Sequence, residues 1–581
     1  MGSSEHFFLP NRLTNSMSEL FSDWDRSNRM RRLWERDTSV WTETDEDRWL
    51  GWVEQESTDE QLSSQLVVLC ESVAKERFAC VALLGMGGSS RTAEVLRSVF
   101  EPNSSVKFQI LGSTEPASIR AFEDSINLER TLFVVASKSG STLETDLFEQ
   151  YFHHRVEEEL GKQAIGSHFV ALTDKDSPLY KRAIRMGYRQ VLLGNATIGG
   201  RFSALSVFGL LPAAVMSLNV QALLFSAKQM MKSCGPDVEV EDNPGLRLGV
   251  ALGAASRHGM DKITLVVSPA VLGFGGWIEQ LLAESTGKSG VGLIPVASET
   301  LGAPEVYESD RFFVVIRLAE ERNFQKDKLK RLERSGHPVV SFVLDGRYDL
   351  GAEFFRWQIA TAVAGSVLGI NPFDQPDVEA SKRETIRSLK DCDTRRKVSG
   401  HEPIVQTEFE GGVISVYADE MERQVLANRG GQDSLKRVIS AHCGRLRPGD
   451  YFSVMAYLRA NDAYNEKLQL LRHFVRDSIH VATIVGFGPG LLHSTGQLFK
   501  GGPRNGVFVQ ITCRDVRDIA IPGRGYSFGD VKKAQSEGDM KVLRERGQRV
   551  IRVHVDGPIL SGLTILAETF RNATSALGFE G

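Results

Sequence analysis

The stretch "TLFVVASKSGSTLETDLF", residues 131–148, decides how the chain is read. Five apolar or β-branched residues give way to a turn dense in hydroxyls, and "LFEQYFHHRVEEEL" then has the character of a helix. Strand, turn and helix in that order make half of a βαβ unit. The same rhythm surrounds it. "CVALLGMGGSSRTAEVLRSVF", "KFQILGSTEPASIRAF", "HFVALTDKDSPLYKRAI" and "RQVLLG" supply four more short apolar strands with helical segments between them. This alternation predicts a doubly wound parallel sheet.

The pattern then repeats. "KITLVVSP", "VGLIPVAS", "RFFVVIRL" and "PVVSFVLDG" predict a second sheet, with "GWIEQLLAEST" and "AEFFRWQIATAVAGSVLG" as helices. "GGRFSALSVFGLLPAAVMSL", before it, reads as a long buried helix. After a charged stretch at 390–405, read as a linker, "DYFSVMAYL", "HVATIVGFG", "GVFVQITC" and "RVIRVHVDG" predict a third α/β unit. Residues 1–60 read as a helical arm whose tryptophans dock it on the body. The expected division is therefore 1–60, 61–215, 216–400 and 401–581. The fold class is α/β, with two doubly wound sheets plus a third α/β domain.

Composition agrees with this reading. A chain of 581 residues exceeds one hydrophobic core. Its net charge of −5 gives no general pull toward nucleic acid or anionic membranes. No apolar run approaches the ~20 residues of a membrane span, and "MGSSEHFFLPNR" lacks the features of a secretory signal. Six scattered cysteines suggest neither a disulfide framework nor a zinc site. The expectation is a cytoplasmic protein.

In a parallel sheet, ligands sit beyond the carboxyl ends of the strands. Two loops there suit an anion. "GMGGSS" (85–90) offers backbone amides at a helix start, with Gly87 and Gly88 permitting close approach and Ser89 beside them. "SKSGSTLET" adds Ser137, Lys138, Ser139 and Thr142. Helix capping alone would use one or two of these hydroxyls; phosphate binding accounts for more of them. Neither the P-loop nor the dinucleotide spacing is present.

The ordered set "GMGGSS", "SKSGSTLET", "GGRFS", "AESTGK" and "NPFDQPDVEASK" resembles glucose-6-phosphate isomerase. The likeness spans about residues 35–581 and is closest to the isomerase half of bifunctional transaldolase/glucose-6-phosphate isomerase proteins. It implies paired sugar-isomerase (SIS) domains and a hexose 6-phosphate substrate whose phosphate is held by Ser137, Lys138, Ser139 and Thr142. It implies Glu284 as the base that moves a proton between C1 and C2. Arg201, beside Gly200, would stabilise the enediolate, Gln280 would contact substrate, and Lys382 would assist ring opening. It implies no cofactor or metal. A homodimer and association with a separate transaldolase are further expectations it carries.

The family's histidine, expected shortly after the base, is missing, since residues 285–336 contain none. The matching segment is "LHSTGQ", with His493 in the third unit. "GFGGWIEQLLAESTGKSG" (273–290) and "GFGPGLLHSTGQLFKGG" (486–502) share a pattern that puts Glu284 and His493 directly before Ser-Thr-Gly. This predicts that the third unit is a partial repeat of the second, with His493 at an equivalent turn and inside the site. A non-catalytic sugar-phosphate-binding regulator and a dual glucose/mannose-6-phosphate isomerase are the alternative functions. An amidotransferase would need an N-terminal cysteine, and the first cysteine here is Cys70.

Overall fold

A computed structural model describes residues 4–53, 60–100, 106–393 and 402–577. It contains three sheets. The chain opens with a strand, β1 (Ser4–Phe8), which joins the second sheet. The first sheet has order β3-β2-β4-β5-β6, formed by β2 (Cys80–Gly85), β3 (Lys107–Leu111), β4 (Thr131–Ala136), β5 (Phe169–Thr173) and β6 (Gln190–Leu193). All its pairings are parallel. Strands β2, β4 and β5 are buried throughout, which is why they read as unbroken apolar runs.

The second sheet contains β7 (Lys262–Val267), β8 (Ile294–Val296), β9 (Arg311–Leu318) and β10 (Val339–Leu344), in the order β1-β10-β9-β7-β8. β1 is its antiparallel edge, so the expected helical arm begins as a strand. The helices Asn11–Arg26 and Arg29–Trp34 follow. The arm is docked: Trp24 and Trp52 are buried, the Trp34 indole N–H donates to the Cys234 carbonyl at 2.9 Å, and that of Trp41 donates to the Ala362 carbonyl at 2.8 Å. The long helix expected after Arg201 is short, Val207–Val215. Ser206 caps its start by accepting from the Phe208 amide.

The third sheet has order β11-β12-β16-β15-β13-β14. Its strands are β11 (Val405–Phe409), β12 (Gly412–Tyr417), β13 (Tyr451–Tyr457), β14 (Ala482–Phe487), β15 (Gly506–Cys513) and β16 (Arg549–Asp556). The hairpin β11–β12 is an addition to the expected strands. Of the stretch read as a linker, 394–401 lies outside the described residues, while its first part is helical to Asp393.

The order β16-β15-β13-β14 repeats β10-β9-β7-β8 strand for strand, and the antiparallel neighbour β12 takes the place of β1. The expected equivalence of the Glu284 and His493 turns nevertheless fails. Among the four matching strands of each unit, Glu284 follows the first, β7, whereas His493 follows the second, β14. The likeness between the two segments is displaced by one strand.

The third unit is not an appendage. Phe528, Ile521 and Val531 share a core with the first sheet's Phe133, Val135 and the nearby Phe148. Tyr451, Met455 and Leu498 share another with Ala283, Ile294 and Val296 of the second unit. Burial of apolar surface, at ~25 cal/mol per Å², holds the three units together.

Candidate active site

Four helices position the site: α1 (Leu143–Leu160), α2 (Gly273–Thr286), α3 (Pro376–Asp393) and α4 (Phe528–Glu545). Glu284 sits in the last turn of α2. Gln280, one turn earlier on the same face, donates from Nε2 to Glu284 Oε2 at 3.2 Å. The Gln280 carbonyl oxygen is buried without a hydrogen-bond partner among the described residues. An unsatisfied buried acceptor is costly unless a ligand or water serves it.

Arg201 is buried beside them, its Nη1 3.8 Å from Glu284 Oε1. Its fork is fixed by donation to Ser285 Oγ (2.7 Å), Gln375 Oε1 (2.8 Å) and the carbonyls of Pro372 (2.7 Å) and Asp374 (3.0 Å). Burial draws its pKa below the ordinary arginine value, against the opposing pull of Glu284 and Asp374. Lys288, in the same "ESTGK" turn, is also buried and donates to the carbonyl of Asn371 at 2.6 Å. Burial, with the charge of Arg201, lowers its pKa to about 7, although Asp374 pulls the other way.

The glycine-rich loop meets this group. Gly87 has φ +55°, and a Cβ there would lie 2.8 Å from His493 Cβ. A Cβ on Gly88 would collide with the Gly200 carbonyl. The glycines therefore admit the His493 segment and the Gly200–Arg201 backbone as well as any ligand. Ser89 closes the 3₁₀ turn Gly87–Ser89.

His493, from the third unit of the same chain, enters the cleft. Its Nε2 lies 2.9 Å from Glu144 Oε1. Glu144 is buried at the start of α1, directly after the hydroxyl-rich turn. Burial pushes its carboxyl up, but the His493 ring and, more weakly, the Lys382 cation outweigh this and hold it below the ordinary value. Lys382 stands at the rim, about half exposed, with its ammonium 2.7 Å from Glu379. Its charge reaches Glu144, but its hydrogen bond goes to its own helix.

The hydroxyl turn is not spent on capping. Thr142 occupies the N-cap of α1 yet makes no side-chain capping bond. Ser137 Oγ instead donates to Thr142 Oγ1 at 3.0 Å, and Ser139 and Ser141 are exposed. Lys138 is engaged by Asp174.

Sequence reasoning misses Glu144 and Gln535. Gln535 lies on α4 in the third unit, 391 positions from Glu144. Its Nε2 donates to Glu144 Oε1 at 2.6 Å and its Oε1 accepts from Thr114 Oγ1 at 2.7 Å. Glu144 stands within the hydroxyl-rich stretch, and its place at a helix start is the signal available in the sequence. Gln535 carries none. Among the described residues, no cluster of three or more His, Cys, Asp or Glu side chains is arranged to hold a metal ion. No described helix is long and apolar enough to cross a membrane.

The family model described as phosphoglucose isomerase matches residues 71–295. Glucose-6-phosphate isomerase of Campylobacter jejuni is 27% identical over 53% of this chain and 84% of its own length. That of Rubrobacter xylanophilus is 29% identical over 58% of this chain and 88% of its own. Among solved structures, a hypothetical protein from Thermus thermophilus aligns with TM-score 0.56 and 25% identity over 66% of this chain and 100% of its own. A glucose-6-phosphate isomerase from Chlamydia trachomatis, 19% identical over 57% of this chain and 73% of its own, shares the fold at TM-score 0.50.

The fold is α/β with parallel sheets, and it is shared with the glucose-6-phosphate isomerase from Chlamydia trachomatis. The chain is similar to glucose-6-phosphate isomerases, and His493 and Lys382 lie outside the residues matched by the family model.

Proposed function

We propose that the protein interconverts glucose 6-phosphate and fructose 6-phosphate through an enediolate. The observation that carries this is the convergence of Glu284, Gln280 and Arg201 with the His493–Glu144 pair around Gly87 and Gly88. A carboxylate base, a fixed cation for the oxyanion and an imidazole backed by a carboxylate are the groups that ring opening and proton transfer require.

In this reading the uncapped hydroxyls of Ser137, Ser139 and Thr142, with Lys138, hold the 6-phosphate. The phosphate does not react; its binding energy positions C1 and C2. Glu284 takes the C2 proton and returns it to C1. Arg201, already immobilised, faces the developing oxyanion and needs no reorganisation in the transition state. His493 passes a proton to and from the ring oxygen, with Glu144 fixing the imidazole. Lys382 acts from the rim, and Ser89, Gly200 and Gln280 line the sugar. A regulator that only bound sugar phosphate would leave the Glu284–Gln280–Arg201 arrangement without a use.

The contact of His493 with Glu144 within one chain supports a reading in which the same protomer supplies this residue. Cytoplasmic location, a homodimer and association with a transaldolase belong to the same proposal; a dual glucose/mannose-6-phosphate isomerase is the alternative. A coupled assay of purified protein with fructose 6-phosphate tests it. Turnover that survives exhaustive chelation is expected; folded protein without turnover contradicts the reading.

A further inference from the structure

Strand β16, "RVIRVHVD", is unlike its counterparts. β5 is "FVALT", buried throughout, and β10 is "VVSFVL". A doubly wound parallel strand is covered on both faces and reads as apolar. In β16 apolar and polar residues alternate instead. Ile551, Val553 and Val555 enter the core of the third unit. Arg552 and His554 point the other way, in register with Gln510 and Thr512 of β15.

A cavity of about 920 Å³ lies against that polar face, closed by α3 and α4. This is within the range of small-molecule sites. Arg552 Nε donates to Gln510 Oε1 at 2.7 Å. Among the described residues its two outer nitrogens have neither a hydrogen bond nor an ion pair, and burial lowers its pKa. Lys533 and Arg387 stand exposed in the lining, also without an ion pair among the described residues. Lys541 and Arg544 line it too but are already paired, with Glu384 and Asp419. Glu537 acts on Arg552 by charge without pairing with it. The unengaged charged groups are therefore a half-buried guanidinium fork, two exposed cations in the same lining and the Glu537 carboxylate. Such a fork matches the paired oxygens of a phosphate, and the two further cations suit a group with more than one negative charge.

We propose that this cavity is a second ligand site, taking a small phosphorylated metabolite with its phosphate on Arg552. It lies across α4 from the candidate active site, since Gln535 of that helix faces Glu144 while Ser536, Glu537 and Met540 face the cavity. It does not depend on the isomerase reading.

Calorimetric titration of full-length protein with inorganic pyrophosphate tests it, using wild type, Arg552→Gln and Lys533→Ala. Affinity is expected to fall at least tenfold in Arg552→Gln and a few-fold in Lys533→Ala, and to persist in Ser139→Ala/Thr142→Ala. Equal affinity in wild type and both cavity variants overturns the proposal. So does loss of binding in Ser139→Ala/Thr142→Ala alone, which would place pyrophosphate in the first unit. Should Arg552→Gln fail to fold by circular dichroism, the double variant Lys533→Ala/Arg387→Ala decides, because both side chains are exposed.

Discussion

The turn carrying Glu284 and the turn carrying His493 share Gly-Phe-Gly, Leu-Leu and Ser-Thr-Gly, yet they are built differently. In the first, Gly273 and Phe274 begin a helix of almost four turns, and Glu284 projects from its end. In the second, Gly486 and Phe487 finish a strand, and His493 ends a single 3₁₀ turn, Gly490–His493. The two turns also touch. The Gly290 amide donates to the Gly501 carbonyl at 2.9 Å, and Gln497 Nε2 donates to the Gly287 carbonyl at 2.9 Å. A Cβ on Gly287 would collide with the Leu498 Cα. Similar letters here mark two surfaces that meet beside the candidate site, one bearing a carboxylate and the other an imidazole.

This division of labour implies a ranking of effects. Glu284→Gln has the largest: kcat for fructose 6-phosphate should fall by ~10³ or more while KM stays within a few-fold, because a positioned base acts mainly in the transition state. A proportionate rise in KM with kcat intact would make Glu284 a binding residue. Next come Ser139→Ala and Thr142→Ala. Each should raise KM and weaken competition by inorganic phosphate, on the order of tenfold for a lost hydrogen bond to a charged group. Wild-type inhibition in both would return these hydroxyls to a purely local role.

Gln535→Leu should act more gently and by a different route. It removes a donor from the Glu144 carboxylate, so the Glu144 pKa rises. The acid limb of the kcat profile should move to higher pH, with a loss in kcat on the order of tenfold for one lost hydrogen bond to a charged group. A lowered Tm with an unmoved limb would instead make Gln535 a packing residue.

Lys288 gives the smallest effect. Folded Lys288 releases its proton near pH 7, its pKa being lowered to about 7, whereas an unfolded lysine holds it to about 10.4. The unfolded chain therefore binds more protons between these values, and this group makes stability rise with pH across that window. Below about 7 both states are protonated and the contribution is flat. Urea midpoints of wild type relative to Lys288→Met should climb between about pH 7 and 9; a constant difference would mean that Lys288 is not titrating there.

The three sheets are legible in the sequence because their central strands, such as "TLFVV" and "KITLVV", are buried on both faces and so lack polar residues over most of their length. The edges are harder to read. β1, "SEHFF", and β11, "VQTEF", are short and mix polar with apolar residues, as strands with one wet side do. Glu284, Arg201 and Gln280 stand in recognisable motifs, and His493 in a motif displaced along the chain. Gln535 sits within "KKAQSEG" and acquires its meaning from a contact between the first and third units. No local pattern encodes such a contact. The strand-for-strand likeness of the second and third sheets is half visible, since it resides in connection order and not in the Ser-Thr-Gly similarity that suggests it.

In the proposed mechanism the third unit completes the site through His493. Deleting residues 401–581 is a blunt test, because Phe528 and Tyr451 belong to cores shared with the other units. His493→Ala is the direct one, measured as kcat on fructose 6-phosphate together with a thermal melt. A loss of ~100-fold or more is expected with the melt nearly unchanged, and with conversion of open-chain analogues largely spared. A folded His493→Ala protein that turns over cyclic substrate at the wild-type rate would contradict this role.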